Sequence, residues 1–146
     1  MSPTPSHGQK LGREGALLVL FGIDVADHSP EEALEGSRPL VAEVDDEILE
    51  YWQFVEERVG GVCSSREEVD ERVQEDSPKW RISRMDIVDR NLLRIGAWEL
   101  FDSGILPIIT INACVELAKS YGEESTPGFV NGLLDQICTD HDIEVS

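Results

Sequence analysis

One stretch, from Pro78 to Gly104, constrains the fold of this chain more than any other. Residues 92–101 contain only two charged side chains, Arg94 and Glu99. The apolar residues there point in nearly all directions around a period of about 3.6 residues, and a helix that is apolar all round is buried. A proline can begin such a helix and a glycine can end it. The stretch therefore predicts a central helix surrounded by others, in which any buried charge needs a partner.

Apolar residues at helical spacing predict six further helices, and the sequence has no strand-like alternation of useful length. The predicted fold class is therefore all-α, with about seven helices. A link containing Pro39 is expected to separate the second helix from the third, and Gly60-Gly61 is expected to end the third. The six flanking helices are expected at 9–25, at 29–36, at 43–59, from Ser64 or Ser65 onward, at 108–122 and from Ser125 onward.

The chain has a formal net charge of −18. A charge this negative argues against non-specific binding to DNA or to any other nucleic acid, because neutralisation of phosphates supplies most of that affinity. The charge is uneven, since residues 79–94 hold five basic side chains and only two acidic ones. This segment is locally positive, whereas the acidic helix that begins near Ser65 is expected to be a solvated surface.

The length of 146 residues suits one compact domain. Residues 1–8 are rich in Pro, Ser, Thr and Gly and are predicted to be a disordered tail. The N-terminus lacks the apolar core of a secretory signal, and no run of about 18 apolar residues predicts a membrane span. Three distant cysteines fit neither a disulfide framework nor a zinc site, and the histidines are isolated from them. We therefore expect a cytoplasmic protein with reduced thiols and no metal.

The sequence contains no recognisable catalytic motif. It has no glycine-rich phosphate loop, nucleophile elbow, paired-histidine helix or CxxC motif. Charged residues at helical spacing, such as Asp86 and Arg90, are interpreted as an ion pair on a helix surface. We therefore expect neither enzymatic activity nor a cofactor, and a catalytic helical protein is the least favoured hypothesis.

Three segments follow a pattern known from one protein family. The first is REGALLVLF at residues 13–21. The second runs from Trp80 to Leu100 and contains IVDRNLLRIGAWEL at residues 87–100. The third spans residues 111–135 and contains INACVELAKSYGEES and FVNGLLD. Together they resemble the NusB family of bacterial transcription antitermination factors, in the same order and spacing over nearly the whole chain.

The resemblance implies a non-enzymatic, all-α protein of two three-helix bundles. A single domain at residues 9–140 is expected, with the first bundle at roughly 9–76 and the second at roughly 79–140. The resemblance also implies binding to the boxA element of ribosomal RNA leader transcripts, together with the small ribosomal-subunit protein NusE. This pair would join the RNA polymerase antitermination complex and suppress premature termination.

The resemblance also implies which residues make these contacts. Cationic side chains would hold phosphates of single-stranded RNA, and an aromatic ring would stack on a base. For the aromatic residue, Phe129, packing in the core is an equally good interpretation. The residues that match the RNA side of the family are Lys10, Arg13, Lys119 and Phe129. The residues that match its partner side are Phe21 and Asp89.

The chain departs from the family pattern at three places. Residues 9–13 read QKLGR where family members carry an arginine cluster, Ala113 replaces a glutamate, and Gly128 replaces a frequent lysine. One hypothesis is an antitermination factor that binds RNA well only when its basic ribosomal partner supplies further positive charge. The other is an acidic paralogue that keeps the fold, has lost its RNA contacts and binds a basic protein.

Overall fold

The computed structural model of this chain describes residues 6–145. Within that range it contains seven α-helices, two 3₁₀ helices and no β-strand, which confirms the predicted all-α class. The α-helices are α1 (His7–Ala26), α2 (Pro30–Val44), α3 (Trp52–Ser64), α4 (Arg66–Glu75), α5 (Ile87–Asp102), α6 (Pro107–Tyr121) and α7 (Thr126–Asp140). The 3₁₀ helices span Asp46–Tyr51 and Ile82–Arg84.

The helix α5 occupies the centre of the molecule, as its composition predicts. Its residues Leu92, Leu93, Ile95 and Ala97 are all completely buried. Five other helices, α1, α3, α4, α6 and α7, pack against it. The residue after its last turn, Gly104, has a positive φ of 75°, the left-handed conformation expected of a glycine at a helix end.

The helices form two groups that meet at α1 and α5. The helices α1, α2 and α3 contact one another, and so do α5, α6 and α7. This arrangement is consistent with two three-helix bundles, although α4 lies mainly against α5. The exact boundary between the bundles, at residues 76–79, stays a prediction. None of the described helices is both long and apolar enough to cross a membrane.

The start of α1 lies closer to the N-terminus than predicted. Of the predicted disordered tail, residues 1–5 lie outside the described residues. His7 and Gly8 belong to the first turn of α1, where the Ser6 hydroxyl accepts a hydrogen bond of 3.1 Å from the backbone N–H of Gln9. The tail prediction was therefore wrong for residues 7 and 8, because the serine caps the helix two residues earlier.

Two predicted helix ends lie inside helices. Pro39 is in the interior of α2, where the burial of Val41 (0 % exposed) outweighs the loss of one backbone hydrogen bond. Gly60-Gly61 lies inside α3 and does not end it. A Cβ atom at Gly61 would clash with the indole ring of Trp98, so this glycine permits close contact between α3 and α5. The helix predicted at 43–59 begins as a 3₁₀ helix and becomes α-helical only at Trp52.

The central helix begins later than Pro78 suggests. Turns and a short 3₁₀ helix occupy residues 77–86, and α5 starts at Ile87. The side chain of Gln74 holds this connection, because it donates to the carbonyls of Ser77 and Trp80 and accepts from the N–H of Ile82, at 2.9–3.0 Å. These hydrogen bonds satisfy backbone groups that a longer helix would otherwise pair.

Candidate functional site

A cluster of buried charges joins four helices. Arg13 of α1 and Glu99 of α5 are both 0 % exposed, and two hydrogen bonds of 2.8 Å join Nε and Nη2 of the arginine to the two carboxylate oxygens. Arg58 Nε of α3 donates to Glu99 Oε2 at 3.1 Å, and Thr110 Oγ1 of α6 donates to Oε1 at 2.7 Å. Burial alone would raise the pKa of Glu99, but the hydrogen bonds and charges of the arginines hold it below its ordinary value.

The position of Arg13 differs from the one that the family resemblance implies. A residue that contacts RNA phosphates must reach solvent, whereas the whole side chain of Arg13 is buried and Glu99 neutralises its charge. Its Nη1 atom is also buried, without a hydrogen-bond partner among the described residues. A phosphate contact by Arg13 therefore does not fit this structure. The residue instead fixes α1 against α5.

A second network neutralises part of the positive segment at residues 79–94. Arg94 Nε donates to Asp70 Oδ1 at 2.8 Å, and its Nη1 donates to Asp24 Oδ2 at 3.2 Å. Arg90 Nε donates to the same oxygen of Asp24 at 3.0 Å. Arg90 thus pairs with α1, and the predicted surface pair with the acid four residues before it is not seen in the described structure. Two of the five cations in this segment are used inside the protein.

A groove of about 520 Å³ separates α1 from α6. Lys10 is exposed on its α1 side, and Glu116 lines its α6 side. Lys119 Nζ lies 3.1 Å from Glu116 Oε1, and both side chains are more than half exposed, so this ion pair contributes little stability and can open for a ligand. The structure therefore brings Lys10 and Lys119 to one face of the molecule, which we call the α1–α6 face.

The two residues implied to face a protein partner also lie together. Phe21, at 41 % exposure, and Asp89 line one groove of about 390 Å³ between α1 and the start of α5. Asp89 Oδ1 accepts a hydrogen bond of 2.9 Å from Thr126 Oγ1, and burial raises the pKa of this carboxyl. An exposed ring beside a carboxylate is suited to a partner with an apolar patch and a positive charge.

Phe129 is half-buried in an adjoining groove of about 320 Å³. The same groove is lined by Asp89, which connects it to the groove of Phe21, and by Trp80 and Arg84. It shares no lining residue with the groove on the α1–α6 face. Of the four residues implied to contact RNA, the two lysines thus lie on one face and Phe129 on another, while Arg13 borders the α1–α6 groove with its side chain fully buried.

A model of the NusB family matches residues 11–139, which include both groups of helices. The chain belongs to the NusB family. The transcription antitermination protein NusB of Myxococcus xanthus (strain DK1622) is 38 % identical over 130 residues, which are 88 % of this chain and 93 % of that protein. The protein of the same description from Bacillus licheniformis (strain ATCC 14580) is 35 % identical over 133 residues, 90 % of this chain and 97 % of that protein.

Solved structures of NusB proteins share the arrangement of helices. A crystal structure of antitermination factors NusB and NusE in complex with dsRNA contains a chain with a TM-score of 0.77 and 27 % identity, covering 93 % of this chain and 99 % of that one. The solution structure of NusB from Aquifex aeolicus has a TM-score of 0.79 and 28 % identity, and the match covers 94 % of this chain and 91 % of that one.

Much of the NusB sequence pattern in this chain serves the fold. Arg13 of the opening helix and Glu99 of the second segment form the buried pair, although they stand 86 positions apart. Arg90 and Arg94 of the second segment bind Asp24 of α1. In this NusB chain, several charged residues of the first two segments are therefore used inside the protein, whereas those of the third segment, such as Lys119, are exposed.

One exposed residue was missed by sequence reasoning. Trp80 is 64 % exposed, although tryptophan is usually a core residue. The available signal was its position between two cations, Lys79 and Arg81, in a segment with few other apolar residues.

The three cysteines are unbonded, and Cys114 lies fully inside the core, where burial raises the pKa of its thiol to about 12. Within residues 6–145, no three or more His, Cys, Asp or Glu side chains are grouped to hold a metal ion.

Proposed function

We propose that this protein is a transcription antitermination factor that binds RNA together with NusE. The observation that carries the proposal is family membership over residues 11–139, combined with a similar NusB chain solved with NusE and dsRNA. In detail, we propose that the RNA is a boxA-type element of a ribosomal RNA leader and that the pair acts within the RNA polymerase antitermination complex. The role is one of binding in the cytoplasm, without catalysis and without DNA as a ligand.

The α1–α6 face and Phe129 are the proposed RNA contacts of this chain. Lys10 and Lys119 are exposed and can reach phosphates, while the half-buried ring of Phe129 can stack on a base at the mouth of its groove. Arg13 is left out of this set because its guanidinium is buried against Glu99. Its effect on RNA binding would be indirect, through the position of α1 and hence of Lys10.

Phe21 and Asp89 are the proposed contacts with NusE. The net charge of −18 makes a basic ribosomal protein a complementary partner, because opposite charges speed association and fix its orientation. The same charge opposes RNA, so we expect the partner to supply much of the positive surface that holds the phosphates.

Removal of the Asp89 charge is expected to weaken NusE binding by about 5-fold to 30-fold, since a charge-assisted contact is worth roughly 1–2 kcal/mol. Asp89→Asn is the suitable variant, because an amide oxygen can still accept the hydrogen bond from Thr126. Isothermal titration calorimetry against purified NusE measures the effect. Asp135→Asn on the exposed side of α7, which makes no side-chain hydrogen bond in the described structure, is the matched control. Equal affinity of the Asp89 and Asp135 variants would remove Asp89 from the interface.

RNA binding is expected to change its salt dependence when NusE is added. The protein alone should show a shallow dependence at low salt, because salt screens the repulsion of its negative surface as well as the local attraction, with a Debye length of about 10 Å at 0.1 M. With NusE, affinity should fall as salt rises in the ordinary way. Phe129→Ala should weaken RNA binding of the complex by roughly 1–3 kcal/mol if the ring stacks on a base.

Fluorescence anisotropy of labelled boxA-like and scrambled RNAs across a salt series measures both effects. A complex that prefers neither RNA, together with a Phe129→Ala variant of unchanged affinity, would contradict the antitermination proposal. The acidic paralogue that binds a basic protein would then be the better account, and its specific support is the net charge of −18.

A further inference from the structure

The connection between α4 and α5 carries an unusual set of cations. Seven of the twelve Lys and Arg side chains, all of which lie in the described part of the chain, form ion pairs within the protein. Of the other five, Arg38 lies over the ring of Trp52, with 4.9 Å between the guanidinium carbon and the ring centroid. Lys10 is on the α1–α6 face. The remaining three, Lys79, Arg81 and Arg84, are exposed and lie within six consecutive residues.

An exposed tryptophan lies among these three cations on a fixed backbone. Trp80 is 64 % exposed, yet its carbonyl accepts hydrogen bonds from Gln74 Nε2 at 3.0 Å and from Ser77 Oγ at 3.2 Å. The backbone N–H of Trp80 donates a hydrogen bond of 3.2 Å to the carbonyl of Ser77. The indole is therefore presented to solvent by a turn that is already ordered, which lowers the entropic cost of binding a ligand.

Trp80 and Phe129 line the same groove of about 320 Å³. Arg84 also lines it, and so do the carboxylates Asp86 and Asp89. Both carboxylates disfavour a phosphate inside the groove, and Asp86, which is not assigned to NusE, can accept hydrogen bonds from the amino group of a base. A base can therefore lie in the groove against an aromatic ring, while the phosphates of the same strand lie outside, where Lys79 and Arg81 are exposed.

We propose that residues 79–84, together with Phe129, bind single-stranded RNA by stacking a base on Trp80 and by phosphate contacts of the three unpaired cations. This inference rests on the proposed function and extends it to residues 79–84, to which the family resemblance assigned no contact. Cations beside aromatic rings are the combination that binds single strands. The three cations would repel a basic protein from residues 79–84, so charge favours RNA on this segment, while Asp89 at the edge of the groove stays with NusE.

The test uses the full-length chain in complex with NusE and a fluorescently labelled, boxA-like single-stranded RNA. Trp80→Ala should weaken RNA binding by roughly 5-fold to 100-fold, the range for one lost stacking interaction. The triple variant Lys79→Gln, Arg81→Gln, Arg84→Gln should also bind more weakly. It should lower the slope of log K against log salt by about 2, since each lost phosphate contact on a single strand accounts for about 0.7. RNA should quench the tryptophan fluorescence of the wild type more than that of Trp80→Phe.

The matched control removes the same number of positive charges from other parts of the surface. The triple variant Arg38→Gln, Arg66→Gln, Arg72→Gln removes three cations that already contact other side chains, and it should change the salt slope less. Melting temperatures and NusE affinity of all variants are measured alongside. If the wild-type complex binds RNA and the Trp80 and cation variants bind it equally well, this inference fails while the proposed function stands. Loss of NusE affinity with unchanged RNA affinity of the assembled complex would also overturn it. A wild-type complex that binds no RNA would overturn both.

Discussion

Glu99→Gln is expected to lower the free energy of unfolding by about 3–5 kcal/mol, the usual cost of removing one partner from a buried ion pair. The carboxylate lies between Arg13 and Arg58, whose side chains are 0 % and 3 % exposed as whole residues. Without it, the guanidinium of Arg13 would remain buried with no opposite charge, and that of Arg58 would keep only the exposed carboxylate of Glu57, 3.6 Å away. Glutamine keeps the size and one acceptor oxygen of glutamate, so the lost stability comes from the missing charge more than from altered packing. Urea unfolding followed by circular dichroism measures it.

Ionisation of the Glu99 carboxyl group should also contribute to the pH dependence of stability. Its pKa is lower in the folded protein than the ordinary value of 4.5, because the hydrogen bonds and charges of Arg13 and Arg58 outweigh the effect of burial. A carboxyl with a lowered pKa stabilises the folded state above its unfolded pKa, and this contribution is lost as pH falls through the folded pKa. The difference in stability between wild type and Glu99→Gln should therefore be full at neutral pH and shrink only in acid.

Glu56→Gln provides the control for this change. Glu56 also lies on a helix, α3, but is exposed and forms no ion pair in the described structure, so its variant should differ from wild type by less than about 0.5 kcal/mol. If Glu99→Gln is equally harmless, the charges of this cluster are not held in the arrangement described. Arg13→Gln should lower the free energy of unfolding by a similar amount to Glu99→Gln. If Arg13→Gln binds RNA more weakly, the unfolded fraction of the variant has to be subtracted before the loss is assigned to an RNA contact.

Leu93→Ala is expected to cost about 2–5 kcal/mol, as truncation of large buried side chains does. Leu93 is completely buried at the centre of α5, where other helices on several sides prevent the cavity from closing. Trp98→Ala should be in the same range, because its ring fills the space that Gly61 leaves between α3 and α5. Denaturant midpoints at constant m-value measure both changes.

Leu40→Ala is the matched control for the core substitution. The leucine at position 40 is on α2 and is 66 % exposed, so the same atoms are removed from a solvated site. Its variant should unfold close to the wild-type midpoint. If Leu93→Ala also unfolds at that midpoint, the central position of α5 is incorrect, and with it the packing of both helical groups.

The sequence by itself determined the helices whose signals are local. The apolar surface of residues 92–101 required burial on all sides, and α5 is buried in that way. Gly122 ends α6, and Ser125 precedes the first turn of α7, as predicted. Such signals act within one helical turn, through backbone conformation and the hydrogen bonds of helix ends, so neighbouring residues are enough to predict them.

Helix boundaries inside the protein depended on packing that no local signal contains. Pro39 and Gly61 have the chemistry of helix breakers, yet both lie inside helices. Burial of Val41 and the close approach of Trp98 to Gly61 are contacts of the folded molecule, and they outweigh preferences of about 1–3 kcal/mol per residue. Pro78, conversely, could have begun α5, but the side-chain hydrogen bonds of Gln74 hold the chain in turns there.

The roles of the charged residues were decided only by the tertiary structure. Nothing near Arg13 in the sequence shows that its partner is Glu99, 86 positions away, and by composition alone it is an ordinary cation of a first helix. Trp80 resembles a core residue until its 64 % exposure is known. Burial and pairing are properties of surfaces that meet only when the chain has folded, because the strength of a charge depends on how far water is excluded from it.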